Sequence, residues 1–212
     1  MPKFHLKTAQ ELQGKFVVRD LNLLLVFQVN CPGCFVYALP LAARLHQQYG
    51  TRLNMLGLST AFEDFELNTA KNTQRLLEKS ELVGVTRQYF LHHGKLSYPI
   101  AIQFPVAFDQ LGQSHELFND ADVEHMCHLN PAFIYWDAAS QAQARSQVKQ
   151  FLKRRSPTAY TFTINQLQGT PSWILFDAGS TSLAQWFGHK SEGEVESIIA
   201  QALEQTVTVT VG

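Results

Sequence analysis

Cysteine is scarce in this chain, with 3 among 212 residues. So small and odd a number argues against a secreted disulfide framework and suits a reducing compartment. Long apolar runs are missing too. The longest, over residues 21–29, is far too short to span a bilayer. The N-terminal stretch MPKFHLKTAQELQGK lacks the continuous apolar core of a secretory leader. A cytoplasmic protein without membrane partners is therefore the expectation. Neither sign of charge dominates: 17 Lys and Arg stand against 18 Asp and Glu, a net charge of −1. No basic face is implied, so nucleic acid is not an expected partner. There is no internal repeat and no low-complexity linker. With 45% hydrophobic residues the chain can bury a core without disulfide staples. It reads as a single α/β domain over 1–212, with a helical insertion at 113–165.

The pattern that is present alternates strand and helix. Residues 22–29 are apolar on both faces except for Asn22 and Gln28, which reads as a buried strand. The following segment to Gly50 has helical spacing at Leu39, Ala42, Ala43 and Leu45, with Pro40 expected to kink it. Further strands are expected over 51–59 and 104–112, and an amphipathic helix over 66–83. Such alternation implies parallel pairing through crossovers. Helices are expected at 119–129 and 137–155. Residues 172–177 and 182–187, joined by Asp-Ala-Gly-Ser, predict an antiparallel hairpin. The last helix starts at Ser191, with Glu194 completing a capping box. The tail TVTVTVG alternates like a strand.

Two of the three cysteines, Cys31 and Cys34, flank Pro32 and Gly33 where the first buried strand gives way to a helix. A thiol reacts as its thiolate. At that junction unpaired N–H groups and the positive end of a helix dipole face the Cys31 sulfur. Pro32 falls at the first helical position, where its missing N–H costs nothing. Gly33 has no side chain to screen the sulfur. The Cys31 pKa should fall from ~8.5 into the range of roughly 3.5 to 7.5. Cys34, one turn deeper on the same side, should be less exposed and closer to an ordinary thiol. That asymmetry suits thiol–disulfide exchange. Two other readings of the pair stay open. It could be half of a zinc site with His125, Cys127 and His128, or a pair of inert core cysteines.

The order of strand, CPGC, helix and strand, with the much later GTPSWILFD opening a hairpin, resembles the thioredoxin-like superfamily. Among its branches LQGKFVVRDLNLLLVFQVNCPGC, GLSTAFEDF, FPVAFD and GTPSWILFDAGS look most like the TlpA/ResA type. The resemblance implies a thioredoxin-like fold, a central mixed sheet flanked by helices, with the helical insertion ahead of the cis-proline strand. It implies that Pro171 is cis and lies against Cys31 and Cys34, and that the Thr170 backbone pairs with an extended substrate strand. Pro32 and Gly33 would border the same substrate site, and Gly188 would let a partner approach. The implied activity is protein-disulfide reduction without a cofactor or metal. Its partners would be a disulfide-containing protein or small disulfide, and a reductase or thioredoxin that restores the dithiol. The chain departs from the family in three places. Asn30 precedes the first cysteine where Trp is usual. Leu25 stands where the family buries an acid, so that water, another residue such as Glu63 or Asp64, or the partner moves the proton, or exchange is slow. Pro40 falls one residue late. A peroxiredoxin-like peroxidase is a second reading, weakened by Gln28 where that motif has Thr. A binding module with an idle or switching dithiol is a third.

Cys127 reads as a small core residue, and His92, His93 and His115 as surface groups. Trp136, Trp173 and Trp186 read as core or site-wall aromatics, with Trp173 able to line a substrate groove. The Lys-Arg-Arg run at 153–155 suits the end of a helix.

Overall fold

A computed structural model describes residues 3–210. A six-stranded sheet forms its centre. β2 (Leu21–Phe27), β3 (Asn54–Ser59) and β4 (Val106–Asp109) run parallel. β1 (Thr8–Gln13) lies antiparallel against β4 at one edge. The hairpin of β7 (Ser172–Asp177) and β8 (Ser182–Phe187) lies antiparallel against β2 at the other. The strand order is β1-β4-β3-β2-β7-β8.

All seven residues of β2 are buried because both of its faces are covered. Leu23, Leu25 and Phe27 point into one apolar cluster, shared with α1 (Leu39–Tyr49), α3 (Gly84–His92) and Val195 and Ile199 of α8 (Glu192–Thr210). Leu24 and Val26 point into the other, against Leu56, Leu58, Phe162 and Ile174. The period of two along one strand thus builds a core on each side of the sheet.

The long segment between β4 and β7 is mostly helical. It holds β5 (Leu111–Gly112), α4 (Ser114–Leu117), α5 (Asp120–His128), α6 (Ala138–Arg154), β6 (Thr158–Ala159) and α7 (Tyr160–Ile164). Leu117, Val123, Met126, Leu152, Tyr160 and Ile164 give these elements a small core of their own. The carboxylate of Asp109, at the end of β4, ties them to the sheet. It accepts the Thr161 and Phe162 N–H groups at 2.9 and 3.1 Å and the Thr60 hydroxyl at 2.9 Å.

Several elements differ from the sequence reading. The helix expected over 66–83 is only α2 (Ala70–Lys79). Thr69 caps its start, accepting the Asn72 N–H, and Ser80 ends it at φ 56°. A separate helix, α3, follows. The strand expected over 104–112 stops at Asp109, and Gly112 belongs to the small β5–β6 ladder. Pro40 produces a π-helical turn over Cys34–Ala38 just ahead of α1, with the Leu39 N–H bonded to the Cys34 carbonyl. The tail read as a strand continues α8 through Thr210, and residues 211–212 lie outside the described residues. A growing helix gains one hydrogen bond per added residue, whereas a strand needs a free edge to pair with. Trp173 does not line a groove: it is 2% exposed and stacks on Trp186 with ring centroids 5.8 Å apart.

Candidate active site

β2 delivers the chain to the sheet's edge of loops through Gln28, Val29 and Asn30, and a helical turn begins at Pro32. Cys31 therefore sits between strand end and helix start. Its sulfur is half-buried, and the Cys34 thiol donates to it across 2.7 Å. The Cys34 N–H also points at the Cys31 sulfur, at 3.4 Å. The Cys31 pKa is lowered to about 6. The largest cause is the hydrogen bond from Cys34, opposed by burial and assisted by Thr170 and the Cys34 and Gly33 N–H groups. Cys34 is fully enclosed, and burial, then its bond to Cys31, pushes its thiol well above the ordinary range. A Cβ built on Gly33 would meet nothing within 4 Å, so the approach past it is open.

From across the sheet the Thr170–Pro171 peptide, in the cis form, closes against the pair. The Cys31 thiol donates to the Thr170 carbonyl at 3.5 Å. The Thr170 hydroxyl donates to Gln28 Oε1 at 3.0 Å. The Pro171 carbonyl accepts the Gly188 N–H at 2.8 Å, and Gly188 holds φ 79°, a conformation suited to glycine. Cys31, Pro32, Gly33, Cys34, Thr170 and Pro171 thus converge although 139 residues separate Cys31 from Thr170.

Asn30, directly ahead of Cys31, is clamped on three sides. Its N–H donates to Asn68 Oδ1 at 2.9 Å, its Nδ2 to Asp64 Oδ2 at 2.7 Å, and its Oδ1 accepts the Val85 N–H at 2.7 Å. The last contact caps the start of α3. It requires glycine at position 84, because a Cβ there would overlap Asn30 Oδ1, and Gly84 stands at φ 51°. Asp64, considered as a proton carrier, has its carboxylate engaged by Asn30. The roles of Gln28 and Asn30 escaped the sequence reading. The available signal was a polar residue, Gln28, following a strand of seven buried residues of which six are apolar; a buried polar group must find a partner inside.

Cys127 is not part of this site. It is buried on α5, its thiol pushed up by burial, in the wall of a cavity of about 750 Å³ that also holds Phe62, Phe133 and Trp136. His125 stacks on His5 at 3.8 Å and His128 contacts Glu124 at 3.3 Å. Among the described residues no three metal-ligating side chains gather, so the zinc reading has no geometry behind it.

No protein-family model matches the chain, and no curated protein matches it. Solved structures do. A thiol-disulfide isomerase from Corynebacterium glutamicum superposes with a TM-score of 0.58 at 19% identity, over 95% of this chain and 96% of that one. A thioredoxin-like superfamily protein superposes with a TM-score of 0.55 at 22% identity, over 96% and 97%. At these identities the likeness establishes the fold: the chain has the thioredoxin-like fold, a mixed sheet flanked by helices.

Proposed function

We propose that the protein is a thiol–disulfide oxidoreductase of the protein-disulfide reductase kind, of the TlpA/ResA type its motifs resemble. One observation carries the reading: two sulfurs 2.7 Å apart with opposite character, one reachable and ionised from about pH 6, the other enclosed and protonated. The Cys31 thiolate attacks one sulfur of a substrate disulfide, and the other substrate sulfur leaves as a thiolate and takes a proton from water. Cys34 then gives up its proton and attacks the Cys31 sulfur of the mixed disulfide. The second substrate sulfur leaves, also to be protonated. Two electrons have passed to the substrate, and the Cys31–Cys34 pair is a disulfide that a dithiol partner must reduce. Thr170 and Pro171 offer the backbone along which a substrate strand lies. Pro32 and Gly33 border its path.

The scarcity of cysteine supports a cytoplasmic reductant, because cytosolic dithiols are held reduced. The helical stretch over 113–165 is read as an insertion in a single domain, covering the sheet and bordering the loop that carries Thr170. Insulin reduction by dithiothreitol tests the activity. The protein should accelerate it, and a rate no better than that of Cys31→Ser rejects the reading.

A further inference from the structure

Pro40 leaves more than a widened turn behind it. In the π-helical turn over Cys34–Ala38 the Leu39 N–H is bonded to the Cys34 carbonyl. That N–H is the one an α-helix would offer to the Phe35 carbonyl. The next donor, at π-helical spacing, would come from residue 40, and proline has no N–H. Phe35 is buried, where an unpaired carbonyl is costly. The Tyr98 hydroxyl donates to it instead, at 3.3 Å. Tyr98 is itself buried and comes from the loop after α3, 63 residues further along the chain. Its ring stands edge-on to Phe35 at 4.9 Å and to Phe90 at 5.8 Å, and its N–H donates to the Ser80 carbonyl at 2.9 Å. Ring and backbone together hold the hydroxyl in place. Phe35 directly follows Cys34, so the bond falls on the turn that carries the enclosed thiol.

We propose that Tyr98 is a positioning residue for the second half of the exchange: its hydroxyl gives the Phe35 carbonyl the hydrogen bond that Pro40 withholds, and so holds the turn in which the Cys34 sulfur lies 2.7 Å from that of Cys31. Tyr98 gives up no proton; it acts through the turn. The inference rests on Cys34 being the resolving thiol proposed above.

The test separates the two halves by stopped flow, mixing the reduced protein with dithiobis(nitrobenzoate). In a first phase the Cys31 thiolate displaces one nitrothiobenzoate thiolate and forms a mixed disulfide with the remainder of the reagent. In a second, Cys34 loses its proton to solvent and attacks the Cys31 sulfur. The other nitrothiobenzoate leaves as a thiolate, and the Cys31–Cys34 disulfide is formed. Only this second phase is independent of reagent concentration, which sets it apart from any reaction of Cys127. Tyr98→Phe keeps the ring and removes the donor. It should leave the first phase within about twofold and slow the second roughly three- to tenfold. Pro40→Ala restores an N–H, and either helical register then gives the Phe35 carbonyl a backbone donor. In that background the same Tyr98→Phe change should leave the second phase nearly unaltered. An unchanged second phase in Tyr98→Phe overturns the proposal, as does an equal slowing of both phases or a loss as large in the Pro40→Ala background. If Tyr98→Phe alone does not fold, adding Pro40→Ala must restore folding, and failure to do so overturns the proposal too. A wild-type protein that gives no second phase would instead reject Cys34 as the resolving thiol.

Discussion

At the scale of the residue, the chemistry turns on how differently two like side chains are housed. Cys31 ends a strand and meets N–H groups and a thiol donor; Cys34, three residues on, meets the apolar cluster of Leu25, Phe27 and Phe35. Alkylation of Cys31 should therefore rise roughly tenfold per pH unit in acid and level off above pH 6, the midpoint set by its lowered pKa. A stopped-flow rate profile with iodoacetamide measures this. Removing the chief donor with Cys34→Ala should move that midpoint up by roughly a unit or more. The lowered pKa also bears on folding. A thiolate favoured in the folded state contributes stability that is present above the unfolded pKa of ~8.5 and lost as pH falls through about 6. Enclosed Cys34 has the opposite sign: its contribution is full below ~8.5 and declines at higher pH as the unfolded chain ionises. The CPGC motif made the pair legible in sequence. It could not reveal that the Cys34 thiol, more than the helix terminus, lowers Cys31, because that depends on a distance of 2.7 Å between sulfurs.

At the scale of the element, legibility followed apolar patterning between turns. β2, β3, β7 and β8 were plain because apolar residues with strand propensity lie between clear turns. β1, with the sequence TAQELQ, was not: it is an edge strand with one partner, and its exposed polar residues carry no alternation of the buried kind. α3 was missed because it opens with glycine and has no capping side chain of its own; Asn30, 54 residues earlier, supplies the cap from another part of the chain. This makes Gly84 a sensitive position. Gly84→Ala should destabilise the protein by about 1–2 kcal/mol from the left-handed backbone alone, and more if Asn30 is driven out of its clamp. Urea unfolding measures the loss, and it should be accompanied by a change in Cys31 alkylation rate because Asn30 is its neighbour. An Ala variant as stable and as reactive as the original would show that the clamp is dispensable.

At the scale of the whole molecule, the sheet and the helical layer between β4 and β7 are joined at Asp109. Its carboxylate is buried, which raises its pKa to about 6 despite hydrogen bonds from Thr161, Thr60 and Phe162 that favour the ion. An acid raised in this way contributes stability that is complete below its unfolded pKa of ~3.9 and lost as pH rises through about 6. Asp109 alone should thus make the fold more tolerant of pH 5 than of pH 7. Asp109→Asn should cost about 1–3 kcal/mol, because an amide N–H₂ replaces one acceptor and leaves a buried donor facing it. It should also flatten that part of the pH profile, as denaturant midpoints at several pH values would register. None of this was visible in the sequence, where Asp109 read only as the end of a strand. The alternating pattern of strands and helices did foretell the parallel core, since crossovers leave few ways to close such a sheet. From α7, which Asp109 anchors, the chain needs only residues 165–169 to reach Thr170. The helical layer and the reactive sulfur accordingly share one short tether. A tug on the outer helices has little slack to take up before it is felt at the thiol.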